Sequence, residues 1–285
     1  MKLVRFTEKG RTRIGKVDGD RVIDLSGVAG ESDSMRQLLV RLPQLRSALE
    51  RVTAPAFALA AVKLEAPVND PQKFLGIGMN YRKHADEARQ AGIAIPESQL
   101  WFNKQVSCIT GPFDPVVKPD ASDKMDYEIE LGVVIGCRCR HVNASDAAAV
   151  IAGYLIVNDL SARDWLHKSP TFTLGKSFDT HGPLGPWLTT ADEIADPLAL
   201  EMKLFVNGEL RQHAITSDMI YDIYQQIEYL STVMTLEPGD ILATGTPSGI
   251  GAPRGLFLQP GDTMRLEIAG LGHIENRVTA EFPQG

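Results

Sequence analysis

The sequence has few cysteines, no excess of positive charge and no long apolar run, and each shortage excludes a class of protein. Its 285 residues include 3 cysteines, too few for a disulfide framework, which agrees with a reducing compartment. The formal net charge is -7, so the chain lacks the basic face that nucleic-acid binding requires. No run of about 18 apolar residues is present to span a bilayer, and the first residues lack the apolar centre of a secretory signal. We therefore expect a cytoplasmic protein that binds neither nucleic acid nor membranes.

The chain is long enough for one large domain or for a main domain with a smaller partner, and its pattern favours two parts. Residues 1–66 predict a small β-domain, followed within the same part by an amphipathic helix from about Met35 that we expect Pro43 to interrupt. The strands predicted there, separated by glycines, lie at 3–6, 13–17 and 21–24. Residues 67–285 contain many strands and few helices, without the regular alternation of a doubly wound sheet. The predicted fold class is therefore α+β and β-rich.

Two local signals define elements of the second part. Asn207-Gly208 lies between two strand-like segments and predicts a hairpin, because this pair supplies the positive φ angles of a two-residue turn. Ser217, followed by Asp218, predicts the start of a helix that runs to about Met234.

Three acidic residues indicate a cation site. In the alternating segment 126–135, the period of a strand places Glu128 and Glu130 on one face, opposite apolar side chains. The apolar strand predicted at 150–157 ends close to Asp159, where a cleft would open. Neighbouring carboxylates repel each other unless they are solvated or share a cation, and a hard divalent ion is their usual partner. The three side chains therefore form a candidate metal site.

Two further motifs are weak evidence by themselves. His84 and Glu87 are three apart and would share a helix face, so the carboxylate could orient the imidazole as a general base, although a solvated helix face has the same spacing. Cys137, Cys139 and His141 could share a strand face, but no fourth zinc ligand is evident. We interpret these three residues as the packed tail of the preceding strand.

Five segments, in this order and spacing, resemble the fumarylacetoacetate hydrolase family, and the resemblance extends over roughly residues 73–278. The segments are Asn80-Tyr81-Arg82-Lys83-His84, Asp126-Tyr127-Glu128-Ile129-Glu130-Leu131, Asn158-Asp159-Leu160-Ser161-Ala162-Arg163-Asp164, Gly175-Lys176-Ser177-Phe178-Asp179 and Thr244-Gly245-Thr246-Pro247-Ser248-Gly249-Ile250-Gly251. The resemblance implies a mixed β-sandwich roll and a homodimer. It also implies that the N-terminal unit is the small β-domain of the longer bacterial members.

The same resemblance implies roles for individual residues. The implied metal ligands are Glu128, Glu130 and Asp159, with Mg²⁺ or Mn²⁺ as the ion. The implied catalytic residues are His84, Glu87 and Lys176. The implied substrate-binding residues are Tyr81, Arg163 and Thr246. In physical terms, a lysine at such a site would stabilise the negative charge of an enolate, and the planar fork of an arginine would grip a carboxylate.

The chain departs from the family pattern at three places. The segment 76–79 offers no fourth acidic ligand, so the site should resemble the three-carboxylate members. Leu166 stands where several acylpyruvate-cleaving relatives have a glutamine, which puts that substrate contact in doubt. His181 is either a specificity residue or a packed one.

Together these features predict a metal-dependent hydrolase that cleaves a carbon–carbon bond in a 2,4-diketo acid. The keto acid would be an acylpyruvate such as fumarylpyruvate or maleylpyruvate, or a diketo sugar acid, and the products would be pyruvate and a carboxylic acid. An oxaloacetate decarboxylase or a keto-acid hydratase or isomerase would use the same metal–enolate site, and a non-catalytic metal-stabilised protein is a further alternative. The segment 82–98, which carries His84 and has few large apolar residues, is predicted to be a mobile lid.

Overall fold

The N-terminal residues are rich in strands, as the glycine-separated strand pattern indicated, and their separation as a domain of residues 1–66 stays a prediction. The computed structural model describes residues 1–90, 92 and 94–282. The elements of the first 66 residues are β1 (Lys2–Glu8), β2 (Arg11–Asp18), β3 (Arg21–Asp24), α1 (Ser26–Ala29), α2 (Met35–Arg51), β4 (Ala56–Ala58) and β5 (Lys63–Glu65). The three predicted strands are confirmed as β1, β2 and β3, which pair antiparallel in that order.

The rest of the chain is also rich in strands. Its elements are β6 (Phe74–Gly78), α3 (Arg82–Gln90), β7 (Leu100–Lys104), β8 (Ile109–Thr110), β9 (Val116–Lys118), β10 (Met125–Asp126), β11 (Ile129–Ile135), β12 (Ile151–Asn158), β13 (Ser161–Ala162), α4 (Arg163–Leu166), α5 (Thr173–Lys176), β14 (Gly182–Thr190), β15 (Glu201–Val206), β16 (Glu209–Ile215), α6 (Ile223–Val233), β17 (Ile241–Ala243), β18 (Thr263–Ile268) and β19 (Gly272–Ala280). Within the described part of the chain, no helix combines the length and the apolar character needed to cross a membrane.

Most of the strands belong to one mixed sheet. Among the described residues its order is β4-β3-β2-β1-β14-β12-β11-β17-β6-β7, with β5 paired to β1 and β8 paired to β14. The N-terminal unit joins this sheet through β1, whose Lys2 and Leu3 pair with Thr189 and Leu188 of β14. A second sheet has the order β16-β15-β18-β19-β9. The predicted β-rich α+β class is confirmed.

The central strand β11 is covered on both faces, because its alternation sends successive side chains to opposite sides. Ile129 and Leu131 belong to the same buried cluster as Leu204 of the second sheet. Val134 points the other way and belongs to the cluster that contains Leu39 of α2. An acidic side chain next to this strand is therefore enclosed by protein. Its charge needs hydrogen-bond donors or cations inside the protein as partners.

The hairpin predicted at Asn207-Gly208 is confirmed. The two residues have φ angles of 52° and 81° and connect the antiparallel strands β15 and β16.

The helix predicted to start at Ser217 begins later, at Ile223. Ser217 lies in a short 3₁₀ turn, whereas the Asp222 side chain caps α6 by accepting backbone N–H groups of its first turn. Asp222 defines the start because Gln225 bonds back to its backbone and completes a capping box.

Helix α2 continues through Pro43, so the predicted interruption is wrong. The proline is exposed, and the backbone hydrogen bond that it cannot donate is therefore missing on the outer side of the helix. The inner side carries the buried side chains of Met35, Leu38, Leu39, Leu42 and Leu49. Their burial stabilises the continuous helix.

Helix α3 forms the first part of the segment 82–98, the predicted lid. Ala91 and Ile93 of that segment lie outside the described residues, as do residues 283–285 at the end of the predicted second domain. Movement of this segment stays a prediction.

Replacing Pro43 with alanine should raise the free energy of unfolding. Alanine restores the missing hydrogen bond and favours a helix interior by up to about 3 kcal/mol, offset by up to about 1 kcal/mol because the unfolded chain gains flexibility. Equilibrium urea denaturation measures the difference. Gln44→Ala, also exposed on α2, is the control and should change stability little. A Pro43→Ala variant no more stable than that control would contradict this explanation.

Candidate active site

The three carboxylates predicted to bind a metal converge in the structure. Glu128 directly precedes β11, Glu130 is the second residue of that strand, and Asp159 directly follows β12. Because Ile129 pairs with Asn158 in the antiparallel ladder, the start of β11 lies beside the end of β12. One oxygen from each carboxylate lies within 4.8 Å of the others, and all three side chains are buried.

Hydrogen bonds hold the junction of the two strands. The Asp159 N–H donates to the Glu128 carbonyl at 2.9 Å. The Glu128 N–H donates to Asn158 Oδ1 at 3.2 Å. These two hydrogen bonds fix the backbone at Glu128 and Asp159, so the position of the backbone there does not depend on a bound ligand.

Glu130 depends on a close approach of the backbone at Gly245. Its Oε2 accepts a hydrogen bond from the Gly245 N–H at 2.7 Å. Gly245 has a φ of 100°, and a Cβ at this position would lie 2.8 Å from Asn80 Cβ. Glycine is required here for both reasons.

Lys176 and Arg163 bring positive charge to the carboxylates. Lys176 Nζ donates to Glu128 Oε2 at 2.7 Å and to Asp159 Oδ2 at 2.5 Å. Arg163 Nη2 lies 2.6 Å from Glu128 Oε1 and 2.8 Å from Asp126 Oδ2. Both residues predicted from the sequence therefore belong to the cluster.

Two further members of the cluster were not identified from the sequence. Asp126 is buried, pairs with Arg163 and accepts the backbone N–H groups of residues 251–252. Lys104, at the end of β7, is buried as well and places Nζ 2.7 Å from Asp159 Oδ1. Asp126 is the first residue of one of the motif segments, and that position could have identified it. Lys104 is the last residue of a short strand, and the local sequence gives no sign of its role.

The charges of the described cluster do not balance. It contains the carboxylates of Asp126, Glu128, Glu130 and Asp159 and the cations of Lys104, Arg163 and Lys176. Burial acts to raise the pKa of Glu128, but Lys176 and Arg163 lower it to about 2. Burial and the charges of Asp159 and Glu128 hold the pKa of Glu130 well above its usual range. Glu130 is therefore the carboxylate with the greatest need of another cation.

The donor set fits a divalent cation that prefers oxygen ligands, as Mg²⁺ and Mn²⁺ do. Asp159 Oδ1 is buried and has no hydrogen bond of suitable geometry among the described residues, because its close contact with Lys104 is an ion pair outside hydrogen-bond angles. This oxygen could bind a cation as a ligand, and the bound cation would offset the repulsion among the three carboxylates.

The alternative zinc site does not form. Among the described residues, the carboxylate triad is the group that brings three potential metal ligands together, and Cys137, Cys139 and His141 do not converge. Cys139 is buried, as the packed interpretation expects, but β11 ends at Ile135 and Cys137 is exposed, so the predicted packed strand tail is only partly correct.

His84 lies on α3 with Glu87 one turn further along. Its Nδ1 is 3.7 Å from Glu87 Oε2, which is longer than a hydrogen bond. Burial lowers the pKa of His84, while the charge of Glu128 acts to raise it and that of Arg163 to lower it, so the ring lies within electrostatic reach of the cluster. A lowered pKa keeps the imidazole neutral near pH 7, the state that can accept a proton.

Two hydroxyl groups expected to bind substrate are engaged elsewhere. The Tyr81 hydroxyl is buried and donates to the Met202 sulfur at 3.2 Å, so in this structure Tyr81 packs in the core. The Thr246 hydroxyl donates to the Ile129 carbonyl and accepts from Gln212 Nε2, each at 2.9 Å. Thr246 therefore supports the wall of the site next to Glu130.

His181 is packed behind the site. Its Nε2 lies 3.1 Å from the Val117 carbonyl oxygen, and its ring centroid is 5.5 Å from that of Phe178. Burial lowers its pKa to about 3, so the ring is neutral. Leu166 is buried too, on α4, and offers no polar group in place of a glutamine.

Two family models match consecutive parts of the chain. Residues 73–279 match the fumarylacetoacetate (FAA) hydrolase C-terminal model, and residues 1–67 match the Rv2993c-like N-terminal model. The chain belongs to the fumarylacetoacetate hydrolase family, as its five motif segments indicated.

Solved structures similar to this chain include enzymes with different reactions. Maleylpyruvate hydrolase from Sphingobium sp. SYK-6, in complex with manganese(II) and pyruvate, is 36% identical with a TM-score of 0.84, over 98% of this chain and 99% of that one. Fumarylacetoacetate hydrolase from Exiguobacterium antarcticum is 36% identical with a TM-score of 0.86, over 99% and 100%. The 5-carboxymethyl-2-hydroxymuconate delta-isomerase from Mycobacterium smegmatis is 33% identical with a TM-score of 0.80, over 99% and 100%. The predicted family fold is confirmed.

Replacing Glu130 with glutamine should abolish metal binding and leave the fold intact. Glutamine keeps the shape and an oxygen that accepts the Gly245 N–H, but removes a charge that Glu128 and Asp159 repel. We expect the free energy of unfolding of the metal-free protein to stay the same or rise. Titration calorimetry with Mn²⁺ should detect no binding.

Glu228→Gln is the matched control for this variant. The exposed Glu228 carboxylate also accepts one backbone N–H, from Ala144, but lies outside the carboxylate cluster. This control should bind Mn²⁺ like the unmodified protein. Undiminished affinity in Glu130→Gln would remove Glu130 from the ligand set.

Proposed function

We propose that the protein is a Mg²⁺- or Mn²⁺-dependent hydrolase that cleaves a carbon–carbon bond in a 2,4-diketo acid and releases pyruvate and a second carboxylic acid. The observation that carries the proposal is the convergence of three carboxylates with Lys176 and Arg163, with the His84 ring within electrostatic reach of Glu128 and Arg163. A metal site with a purely structural role has no use for Lys176, Arg163 and His84. The proposed substrates are acylpyruvates, such as fumarylpyruvate and maleylpyruvate, and diketo sugar acids.

With Glu128, Glu130 and Asp159 as its ligands, the bound ion would polarise the keto acid as a Lewis acid. Arg163 would bind the substrate carboxylate, because its planar guanidinium lies at the edge of the cluster and its side chain is 16% exposed. Lys176 would stabilise the negative charge that develops on the pyruvate enolate. Its ammonium is fixed for this role between the carboxylates and the ring of Phe102, 4.9 Å from the ring centroid.

His84 would accept a proton from the water that attacks the 4-carbonyl, with Glu87 orienting the ring. The bond between carbons 3 and 4 then breaks, its electron pair forms the enolate, and a proton returns to carbon 3 to give pyruvate. The distance of 3.7 Å between His84 and Glu87 is consistent with this role, because catalytic contacts often shorten only when substrate binds.

A second candidate is isomerisation or decarboxylation through the same enolate. The similarity to the Mycobacterium smegmatis isomerase, which covers 99% of this chain, favours isomerisation. Loss of CO₂ from oxaloacetate would give the pyruvate enolate with no attacking water. Hydrolysis and decarboxylation therefore share Lys176 and differ in their need for a base.

We also propose a homodimer, as the family resemblance implies. Light scattering after size-exclusion chromatography supports it if the mass is twice that of the chain. A mass equal to one chain contradicts it.

A substrate screen tests the proposed reaction. Acylpyruvates, diketo sugar acids and oxaloacetate are supplied in turn with Mg²⁺ or Mn²⁺, and pyruvate release is followed with lactate dehydrogenase. Equal amounts of pyruvate and acid from one diketo acid support hydrolysis. Pyruvate from oxaloacetate alone favours decarboxylation, and no turnover of any of these compounds counts against both hydrolysis and decarboxylation.

Replacing His84 with alanine should lower the rate of hydrolysis by about 10²- to 10⁴-fold, the usual contribution of a positioned base. Decarboxylation of oxaloacetate needs no base for water and should fall much less. The measurement is kcat with each substrate. His213→Ala, which removes an exposed histidine paired with Glu201, is the control and should leave both rates unchanged. Equal losses in both reactions for His84→Ala would show that His84 serves binding or folding.

A further inference from the structure

Lys104 is a buried cation whose ion pair and ammonium hydrogen bonds lie in the site. Its side chain is 0% exposed, and its Nζ lies 2.7 Å from Asp159 Oδ1. The same ammonium donates to the carbonyl oxygens of Lys176 at 2.5 Å and of Leu160 at 3.4 Å. A buried ammonium is costly, and an apolar side chain would serve packing equally well. The role of the Lys104 charge must therefore be sought in the groups that its ammonium contacts.

We propose that Lys104 is a positioning residue that orients the Asp159 carboxylate and the turn that carries Lys176. The inference rests on the proposed metal-dependent function. The two oxygens of Asp159 are bracketed by two ammonium groups, Lys104 at Oδ1 and Lys176 at Oδ2. Rotation of the carboxylate would break at least one of these contacts, so the pair fixes the plane of the ligand.

Lys104 also connects Lys176 to the large sheet. The backbone of Lys104 is held by β7, where it pairs with Phe74 of β6. Lys176 is the last residue of the four-residue helix α5, which has little intrinsic stability at this length. The hydrogen bond from Lys104 Nζ to the Lys176 carbonyl anchors this short turn. One side chain therefore sets the position of a metal ligand and of the residue that stabilises the enolate.

Loss of Lys104 should consequently weaken metal binding and slow turnover together. Groups that orient a metal ligand without touching the ion typically change affinity by about 10- to 100-fold. A merely structural lysine would lower thermal stability and leave the affinity for the ion unchanged. The affinity for Mn²⁺ therefore separates the two roles without reference to activity.

The experiment compares Lys104→Met with Lys73→Met in the full chain. Lys73 is a matched control, because it pairs with the completely buried carboxylate of Asp240 at 2.7 Å but lies outside the cluster. Calorimetry measures the dissociation constant for Mn²⁺, and the electron paramagnetic resonance spectrum of the bound ion reports its ligand geometry. Lys104→Gln, which keeps a polar side chain, is the second variant if Lys104→Met does not fold.

We expect the dissociation constant for Mn²⁺ to rise by about 10- to 100-fold in the Lys104 variant, with a changed spectrum, and to stay unchanged in Lys73→Met. We also expect kcat to fall with little change in KM, because Lys176 acts after substrate binds. An unchanged constant in the Lys104 variant overturns the inference. An equal rise in Lys73→Met also overturns it, because lost stability would then be the cause. If the unmodified protein binds neither Mn²⁺ nor Mg²⁺, the proposed function is wrong and the role of Lys104 falls with it.

Discussion

Repulsion among buried carboxylates is the constraint on which the centre of this protein depends. Glu128, Glu130 and Asp159 meet where β11 and β12 pair, and all three side chains are buried, so protein groups take the place of most of the solvating water. Removing one partner of a buried ion pair typically costs about 3 to 5 kcal/mol. The surrounding cations are therefore part of the fold as well as part of the site.

The partners of these carboxylates come from distant segments. Arg163 starts α4, Lys176 ends α5, and Lys104 closes β7, the last strand in the described order of the large sheet. Only the complete sheet brings them to one place. Burial and the charges of Asp159 and Glu128 raise the pKa of Glu130, although the Gly245 N–H acts to lower it. Glu128 is buried as well, but Lys176 and Arg163 lower its pKa, so two carboxylates only two residues apart shift in opposite directions.

The sequence predicted the parts of the structure that depend on local rules. The period of two around Glu128 and Glu130, the Asn207-Gly208 turn and the ordered motif segments indicated the triad, the hairpin and the family. The prediction at Pro43 was wrong because burial of the inner side of α2 stabilises the helix through the proline. The prediction at Ser217 was wrong because Asp222 caps α6 instead. Lys104 could not be found by such rules, since its partners Leu160 and Lys176 lie 56 and 72 residues further along the chain. The direction of the Tyr81 hydroxyl likewise depends on Met202, which no local pattern connects to it.

The pairing of β1 with β14 has a consequence for synthesis of the chain. Lys2 meets Thr189, so a ribosome must make most of the protein before the large sheet can close. Until then an edge of β1 would be open, and open edges invite pairing with other chains. β5 reduces this hazard, because it already pairs with Arg5, Phe6 and Thr7 on β1. The nascent N-terminal unit therefore presents only a short unpaired edge until β14 emerges.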